Sequence, residues 1–485
     1  MTTARLGQAV IERRVIRRDG RILGCDDAPA LSHGAVAAAK TALAAMRRVS
    51  GQPQYRRVLS SSIVAVPLMF SANLARAQAI APLVTPTIEP DYNRGRNVSV
   101  NETYDPNYDP LGMRFGSIIA FPTLGVTTGV TSNVYVNNNF KRADGFYFFQ
   151  PALRVTTDLP VHRVTLLADA SIQRYAHETL RNQTPYNLLA EGELELGTDW
   201  EVLGRVQYAR TSESPFATDL ASNISILSEY TRFTPSLNVV YKAGRVRLTG
   251  KAERIELRFK PVTFEDGSVR DQRARDRDLN RGSFQAEYGL SPSIAVFGQL
   301  NYDETSYPRV APGAGQNRGS KGGSVLGGVN FDLTGLMRGS IAAGYVNRDY
   351  DAATFKDVSG LLWQVQTEFF PTPLTTIGVG AQRLVQDSVL NNQGAFADVR
   401  ATVAVDHALL RNLIVSGNLS VIKQERLNNN APARFVSTGL SARYQSNRFI
   451  TLGGGFQYSR GRPGQNAFSV PFDEARGQVF VRLSR

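Results

Sequence analysis

The chain has almost no cysteine, few histidines and no long apolar run, and each shortage removes a class of function. One thiol, Cys25, stands among 485 residues. A single cysteine builds neither a disulfide framework nor a cysteine-ligated metal site. The four histidines, His33, His162, His177 and His407, are too dispersed to form a zinc-binding pair. No stretch after the first 77 residues approaches the ~20 apolar residues that a membrane helix needs. A basic stripe is missing too. The formal net charge is +13, but residues 1–77 carry 12 Lys/Arg against 4 Asp/Glu, and the remaining excess is scattered. Nucleic acid is therefore not an expected partner, because its electrostatic footprint is absent.

What the chain does have is alternation. In Ala397–Ile422, Val399, Ala401, Val403 and Val405 share one face, with Arg400, Thr402, Ala404 and Asp406 opposite. A turn over His407–Asn412 follows. Leu413, Val415, Gly417, Leu419 and Val421 then lie opposite Ser416, Asn418 and Ser420. Side chains alternate across a strand with period two, so the pattern describes strands with one apolar and one polar surface. Repeated down the chain, it is the mark of a transmembrane β-barrel, with lipid on one face and a wet lumen on the other.

The leader and lead-in read separately. Arg56 and Arg57 precede the apolar run Val58–Phe70, and Ala75-Arg76-Ala77 forms a small-x-small cleavage site before Gln78. Basic start, apolar middle and small-residue exit describe a secretory signal peptide. Met46 would be a natural start, so residues 46–77 are expected to be the signal and 1–45 an upstream extension. Residues 78–111 hold Pro82, Pro86, Pro90, Pro106 and Pro110 among Asn, Asp and Tyr, which predicts a disordered or extended periplasmic segment. The barrel is expected over residues 112–485, entered through two apolar stretches around Pro122. These form one bulged strand or a strand after an extended entry.

Beyond that point short and long connections alternate. Eight short turns and nine long polar loops separate 18 strands, with 16 as the alternative count. An even number with both ends on the short-turn side fits bacterial outer-membrane barrels, whose turns and termini are periplasmic. In Tyr186–Leu196, apolar residues alternate with Glu191, Glu193 and Glu195, and Trp200–Tyr208 places Arg205 opposite Val206 and Tyr208. Arg245–Ala252 sets Arg247 and Lys251 opposite Val246, Leu248 and Ala252. An Arg or Lys on the lipid face at mid-membrane costs about 2–4 kcal/mol, so these charges are assigned to the lumen. Trp200, Tyr241, Tyr288, Phe369, Phe370, Tyr444 and Phe449 fall near strand ends and suit interfacial girdles. The last strand, read over Gly477–Arg485, ends Leu483-Ser484-Arg485, without the terminal aromatic common in outer-membrane barrels.

Three groups of residues carry a family resemblance. They are Gly116–Leu124 with Ser132–Tyr135, Phe331–Leu336 with Gly344-Tyr345 and Arg348–Tyr350, and Asp406–Leu413. In these the chain resembles the putative β-barrel porin 2 group of bacterial outer-membrane proteins, from about Arg114 onward. The resemblance implies a Gram-negative outer-membrane barrel, one that passes or assists export of a surface polysaccharide. It supplies no catalytic residues.

A search for chemistry finds little beside the wall. No nucleophile motif accompanies His177, the one histidine near an outer loop, so an enzyme is not expected. Asp271, Asp276 and Asp278 alternate with Arg270, Arg273, Arg275 and Arg277, which reads first as a solvated loop and second as a contact for lipopolysaccharide phosphates or a calcium bridge. No cofactor or metal site is expected. The functional candidates are the lumen-facing charges Glu191, Glu193, Glu195, Arg205, Arg247, Lys251, Arg338 and Arg400, because charged linings set pore selectivity. The expectation is an all-β, antiparallel up-and-down transmembrane barrel acting as a passive channel, with exopolysaccharide export as its sharper form. Expected partners are outer-membrane lipid and lipopolysaccharide, the barrel-assembly machinery and polysaccharide export components. The competing expectation is a non-conducting structural barrel whose long loops bind polysaccharide or a partner.

Overall fold

In a computed structural model, each alternating segment pairs antiparallel with its sequence neighbours until the last meets the first. The structure describes residues 88, 92, 93, 95, 97–213, 224–264, 267–309, 318–333, 335–387, 395–426, 432–462 and 470–485. The expected signal peptide, with its cleavage residues Ala75, Ala77 and Gln78, lies outside the described residues.

The barrel strands are β1 (Ile118–Thr131), β2 (Asp144–Thr157), β3 (Arg163–Ala170, continued as Ile172–Tyr175), β4 (Tyr186–Leu196), β5 (Trp200–Ser212) and β6 (Glu229–Ala243). There follow β7 (Val246–Phe259), β8 (Arg277–Ser291), β9 (Ile294–Ser306), β10 (Ser320–Leu333), β11 (Met337–Tyr350) and β12 (Val358–Thr372). The set ends with β13 (Thr375–Asp387), β14 (Ala395–Leu410), β15 (Leu413–Arg426), β16 (Ala433–Gln445), β17 (Ile450–Arg462) and β18 (Phe472–Ser484). Closure comes from β1 against β18, in register from Thr123↔Ser484 to Thr131↔Arg476. The ring has 18 strands and no open edge. In hydrocarbon that closure is obligatory, since an unpaired strand edge would leave backbone groups with no water to bond.

Register is set by the two-sided pattern, because a slip of one residue would move every apolar side chain to the wet face. Val325, Val329, Ile341, Tyr345, Leu361, Leu419 and Leu440 all stand exposed on the outer surface. Their alternates, such as Ser324, Asn330, Ser340 and Ser437, are buried inward. The strands run from 11 to 16 residues, longer than the ~9–11 needed to cross the bilayer. At the long-loop end some connections are shorter than the sequence pattern predicts, as between β11 and β12, and others longer, as between β1 and β2. Short strands Ile224–Ile226, Val262–Phe264 and Val269–Arg270 form a separate three-stranded sheet there.

Two local readings are refined. The expected six-residue turn His407–Asn412 contracts to Arg411 and Asn412, because His407 pairs with Val415 and Leu410 with Leu413. Continuing the ladder satisfies backbone groups that a wider turn would leave open. At the entry, Met113–Phe115 folds back on Ile118–Ala120, and Gly116 supplies the positive φ of 62° that the tight turn needs. Pro122 sits inside β1 opposite Leu153 of β2. It is tolerated there because the β18 ladder begins only at Thr123, so its missing N–H leaves no bond unmade on that side.

Candidate functional site

The inward faces of β3–β7 form a charged wall built by cross-strand pairing. Glu191 lies opposite Arg205 in register, and Arg205 Nε donates to Glu191 Oε2 at 2.8 Å. Arg163 of β3 faces Glu193 of β4, with Nη1 to Oε2 at 3.3 Å. Glu195 stands opposite Glu201, whose carboxylate accepts from Lys242 Nζ at 2.7 Å. Arg247 donates to Glu287 of β8 at 3.1 Å, while Lys251 reaches Glu253 at 3.5 Å. The side chain of Arg205 is 45% exposed and that of Lys242 42%, so this part of the lumen is wet.

Another part of the lumen is filled. Inward residues Tyr230, Ile255, Leu257, Phe259 and Leu279 of β6–β8 meet Val346, Tyr350, Val358, Leu362 and Val385 of β11–β13 in one buried apolar cluster, joined by Phe355 of the β11–β12 loop. This cluster lies at the long-loop end. At the short-turn end the lead-in crosses the lumen wall. The composition of residues 78–111 predicts disorder or extension; its described part is irregular, with a 3-10 turn at Val100–Glu102 and a turn after Asp105, and is anchored to the barrel. Asn97 Nδ2 donates to Asp332 Oδ1 of β10 at 2.6 Å, and Val100 N donates to Thr376 Oγ1 of β13 at 2.9 Å. Arg443 of β16 donates to Asn101 Oδ1 at 3.0 Å. Asn and Asp side chains that make a segment a poor helix or strand are the groups that can bond a polar wall. Burial, with the Glu368 carboxylate adding, pushes the Tyr92 hydroxyl well above its ordinary range. Burial likewise raises the carboxyl of Asp109.

The eight candidates therefore divide. Glu191, Glu193, Glu195, Arg205, Arg247 and Lys251 stand together on the β4–β7 wall. Arg338 is 2% exposed and serves the lead-in: Nη1 donates to Asn97 O at 2.8 Å, Nη2 to Glu102 Oε2 at 2.7 Å, and Nε to Glu368 Oε2 at 2.5 Å. Arg400 is buried against Asp398, two residues away on its own strand, at 2.7 Å. Sequence reasoning passed over Arg163, Lys242, Glu287, Arg281, Asp303 and Arg348, which the same alternation would have placed inward. His177 Nδ1 lies 2.9 Å from Asp144 Oδ1, and Asp144 Oδ2 also receives the backbone N–H groups of His177 and Glu178. That set clasps the loop after β3. In the Asp271–Asp278 loop, Arg273 pairs with Asp271, Arg275 with Glu213, and Asp276 accepts from Phe259 N at 2.7 Å. Asp278 belongs instead to an outward network with Arg254 and Arg258, above the apolar belt of β7. Among the described residues no group of His, Asp or Glu is arranged to hold a metal ion.

A closed barrel with an apolar coat and a polar, charged interior defines a porin-like outer-membrane protein. The Putative beta-barrel porin 2 family model matches residues 105–485, and the chain belongs to that family. Among solved structures, the copper transporter OprC aligns at a TM-score of 0.45 and 11% identity, over 77% of this chain and 81% of that one. Pseudomonas aeruginosa OccK2, solved with glucuronate, aligns at 0.42 and 13%, over 76% and 98%. A BenF-like porin from Pseudomonas fluorescens aligns at 0.42 and 12%, over 76% and 100%. No curated protein matches the chain.

Proposed function

We propose that the protein is a passive outer-membrane channel for polar solutes, with its short turns and both ends of the barrel on the periplasmic side. The observation that carries this is the wet, ion-paired wall of β3–β7. A barrel serving only as an anchor has no need of opposed Glu and Arg rows exposed to lumen water. Diffusion through that side needs no cofactor and no energy source, and the charges facing the route set which ions pass. Export of a surface polysaccharide is the sharper form, since hydroxyl-rich polymers are matched by such a wall.

The test is planar-bilayer conductance of the protein reconstituted in lipid. Steady single-channel steps support the channel, and their ion selectivity should move when Arg205 is changed to Glu. A folded, inserted protein that passes no current would sink it. One observation favours the second reading, a closed structural barrel: the lead-in and the apolar cluster occupy the β10–β16 and β6–β13 sides at opposite ends. Conductance separates the two readings directly.

A further inference from the structure

We propose that the outward face of β15–β17, just above the apolar belt at the long-loop end, binds the phosphate groups of a membrane lipid. The site is on the outside of the barrel, so it stands whether or not the lumen conducts.

Register places like charges side by side here. Lys423 of β15 lies opposite Arg434 of β16, and Arg434 lies opposite Arg462 of β17. Neighbouring strands are only about 4.8 Å apart, and like charges directly opposite each other are destabilising. Two residues nearer the belt on the same face, Val421 lies opposite Val436, Val436 opposite Arg460, and Arg460 opposite Asp473 of β18. Below these, Leu419, Leu440 and Phe456 stand exposed on the outer surface.

Counter-charges are few. Lys423 pairs with Glu425 at 2.6 Å, and Arg460 with Asp473 at 3.3 Å. Asp473 is also engaged by the Tyr458 hydroxyl at 3.1 Å and by Asn138 Nδ2 at 3.2 Å. Arg434 and Arg462 are exposed and have no ion pair among the described residues. Nor can the adjoining connections supply a carboxylate, since residues 427–432 and 463–471 contain no Asp or Glu.

Outward cations at the long-loop end of other strands are matched within the protein. Arg210 and Lys260 meet on Glu229, Arg254 and Arg258 share Glu256 and Asp278, and Lys321 meets Glu304. The cations of β15–β17 are set against one another instead, so their counter-charge has to come from outside the chain. Guanidinium forks beside an ammonium suit phosphate, whose oxygens accept from several donors at once. The apolar surface directly below suits acyl chains, and a basic patch at this depth is drawn to anionic head groups. A lipid joins phosphate and hydrocarbon in one molecule; a soluble anion would gain nothing from Leu440 and Phe456.

The test is native mass spectrometry of the whole protein in detergent, titrated with lipid A, a phosphorylated glycolipid. Lipid A stripped of its phosphates and sodium phosphate form the other two arms. Lipid A should bind about tenfold more tightly than its dephosphorylated form, and sodium phosphate should leave no adduct. Arg434→Gln and Arg462→Gln should each weaken lipid A about fivefold, and together about twentyfold. Arg254→Gln should bind as wild type does, because its carboxylates keep Arg258. Neither Arg434→Gln nor Arg462→Gln strands a partner, so in lipid-free detergent both should hold the folded band of a heat-modifiable gel to at least the wild-type temperature. Added lipid A should raise that temperature for wild type and not for the double variant. Equal binding of the two forms of lipid A would leave acyl contact alone and overturn the proposal. So would unchanged binding in the double variant, an equal loss in Arg254→Gln, or a sodium phosphate adduct as tight as that of lipid A.

Discussion

Arg338, at the start of β11, holds Glu102 of the lead-in through a 2.7 Å contact spanning 236 positions of sequence. The same guanidinium holds Glu368 and the carbonyl of Asn97, so one buried side chain ties a non-barrel segment to two strands. The segment buries Ile88, Tyr92 and Val100 against the barrel unit. Charge-assisted bonds, which are directional and roughly twice as strong as neutral ones, add to that docking.

Arg338→Gln should therefore release the lead-in. Breaking a buried ion pair costs about 3–5 kcal/mol when its partner stays buried. Glu102 and Glu368 are partly exposed and can rehydrate, so the loss should fall at or below the low end of that range. Limited proteolysis should cut within residues 88–112 of the variant faster than in wild type, and single-channel conductance should rise if the segment narrows the mouth. Glu102→Gln, which leaves Arg338 paired with Glu368, should give a smaller effect. Unchanged cleavage in both variants would show that other contacts hold the segment.

Charge reversal should separate wall residues by their burial. Arg205→Glu places a carboxylate in wet lumen beside Glu191, so folding should be retained and the reversal potential should shift toward cations. Arg247→Glu sets a carboxylate against Glu287, whose side chain is 6% exposed. That variant should lose folded yield in heat-modifiability gels before any current is recorded. Equal behaviour of the two would contradict the division between a wet and a packed part of the wall.

The apolar cluster gives a third expectation. Leu257 is fully buried among β6–β8 and β11–β13 side chains. Leu257→Ala should cost about 2–5 kcal/mol, the transfer term plus whatever cavity remains. Read by conductance, a wider step would mean that the cluster bounds the route; an unchanged step would place the route wholly along β3–β7.

How much of this was legible in the chain depends on whether the information is local. Alternation is local: Val415, Leu419 and Val421 face out and Ser416 and Ser420 face in because each strand carries its own pattern. Strand count and the order of short and long connections followed from it. The facing of Arg205 and Lys251 was equally visible. That Arg338 would be covered was not, since its coverage depends on Asn97 and Glu102, whose surroundings carry no period. Nor does any local signal foretell that Leu279 of β8 and Val346 of β11 meet. Apolar residues at inward positions near strand ends were the available hint, and they read equally well as a change of face above the membrane.

Orientation can be tested with the chain's shortage of thiols. Cys25 lies in residues 1–77, which the signal-peptide reading removes from the exported protein, leaving a background without cysteine. Lys356→Cys places a thiol in the loop between β11 and β12, where Lys356 is exposed; Ser446→Cys places one in the short connection between β16 and β17. A membrane-impermeant maleimide added to intact cells should label the first variant and spare the second, with both labelled after lysis. The labelled polypeptide, analysed by mass, also reports the true N-terminus, and a start at Gln78 is expected. Labelling of Ser446→Cys alone on intact cells would invert the barrel. It would place the buried apolar cluster at the periplasmic mouth, and the segment anchored by Arg338 would face the outside.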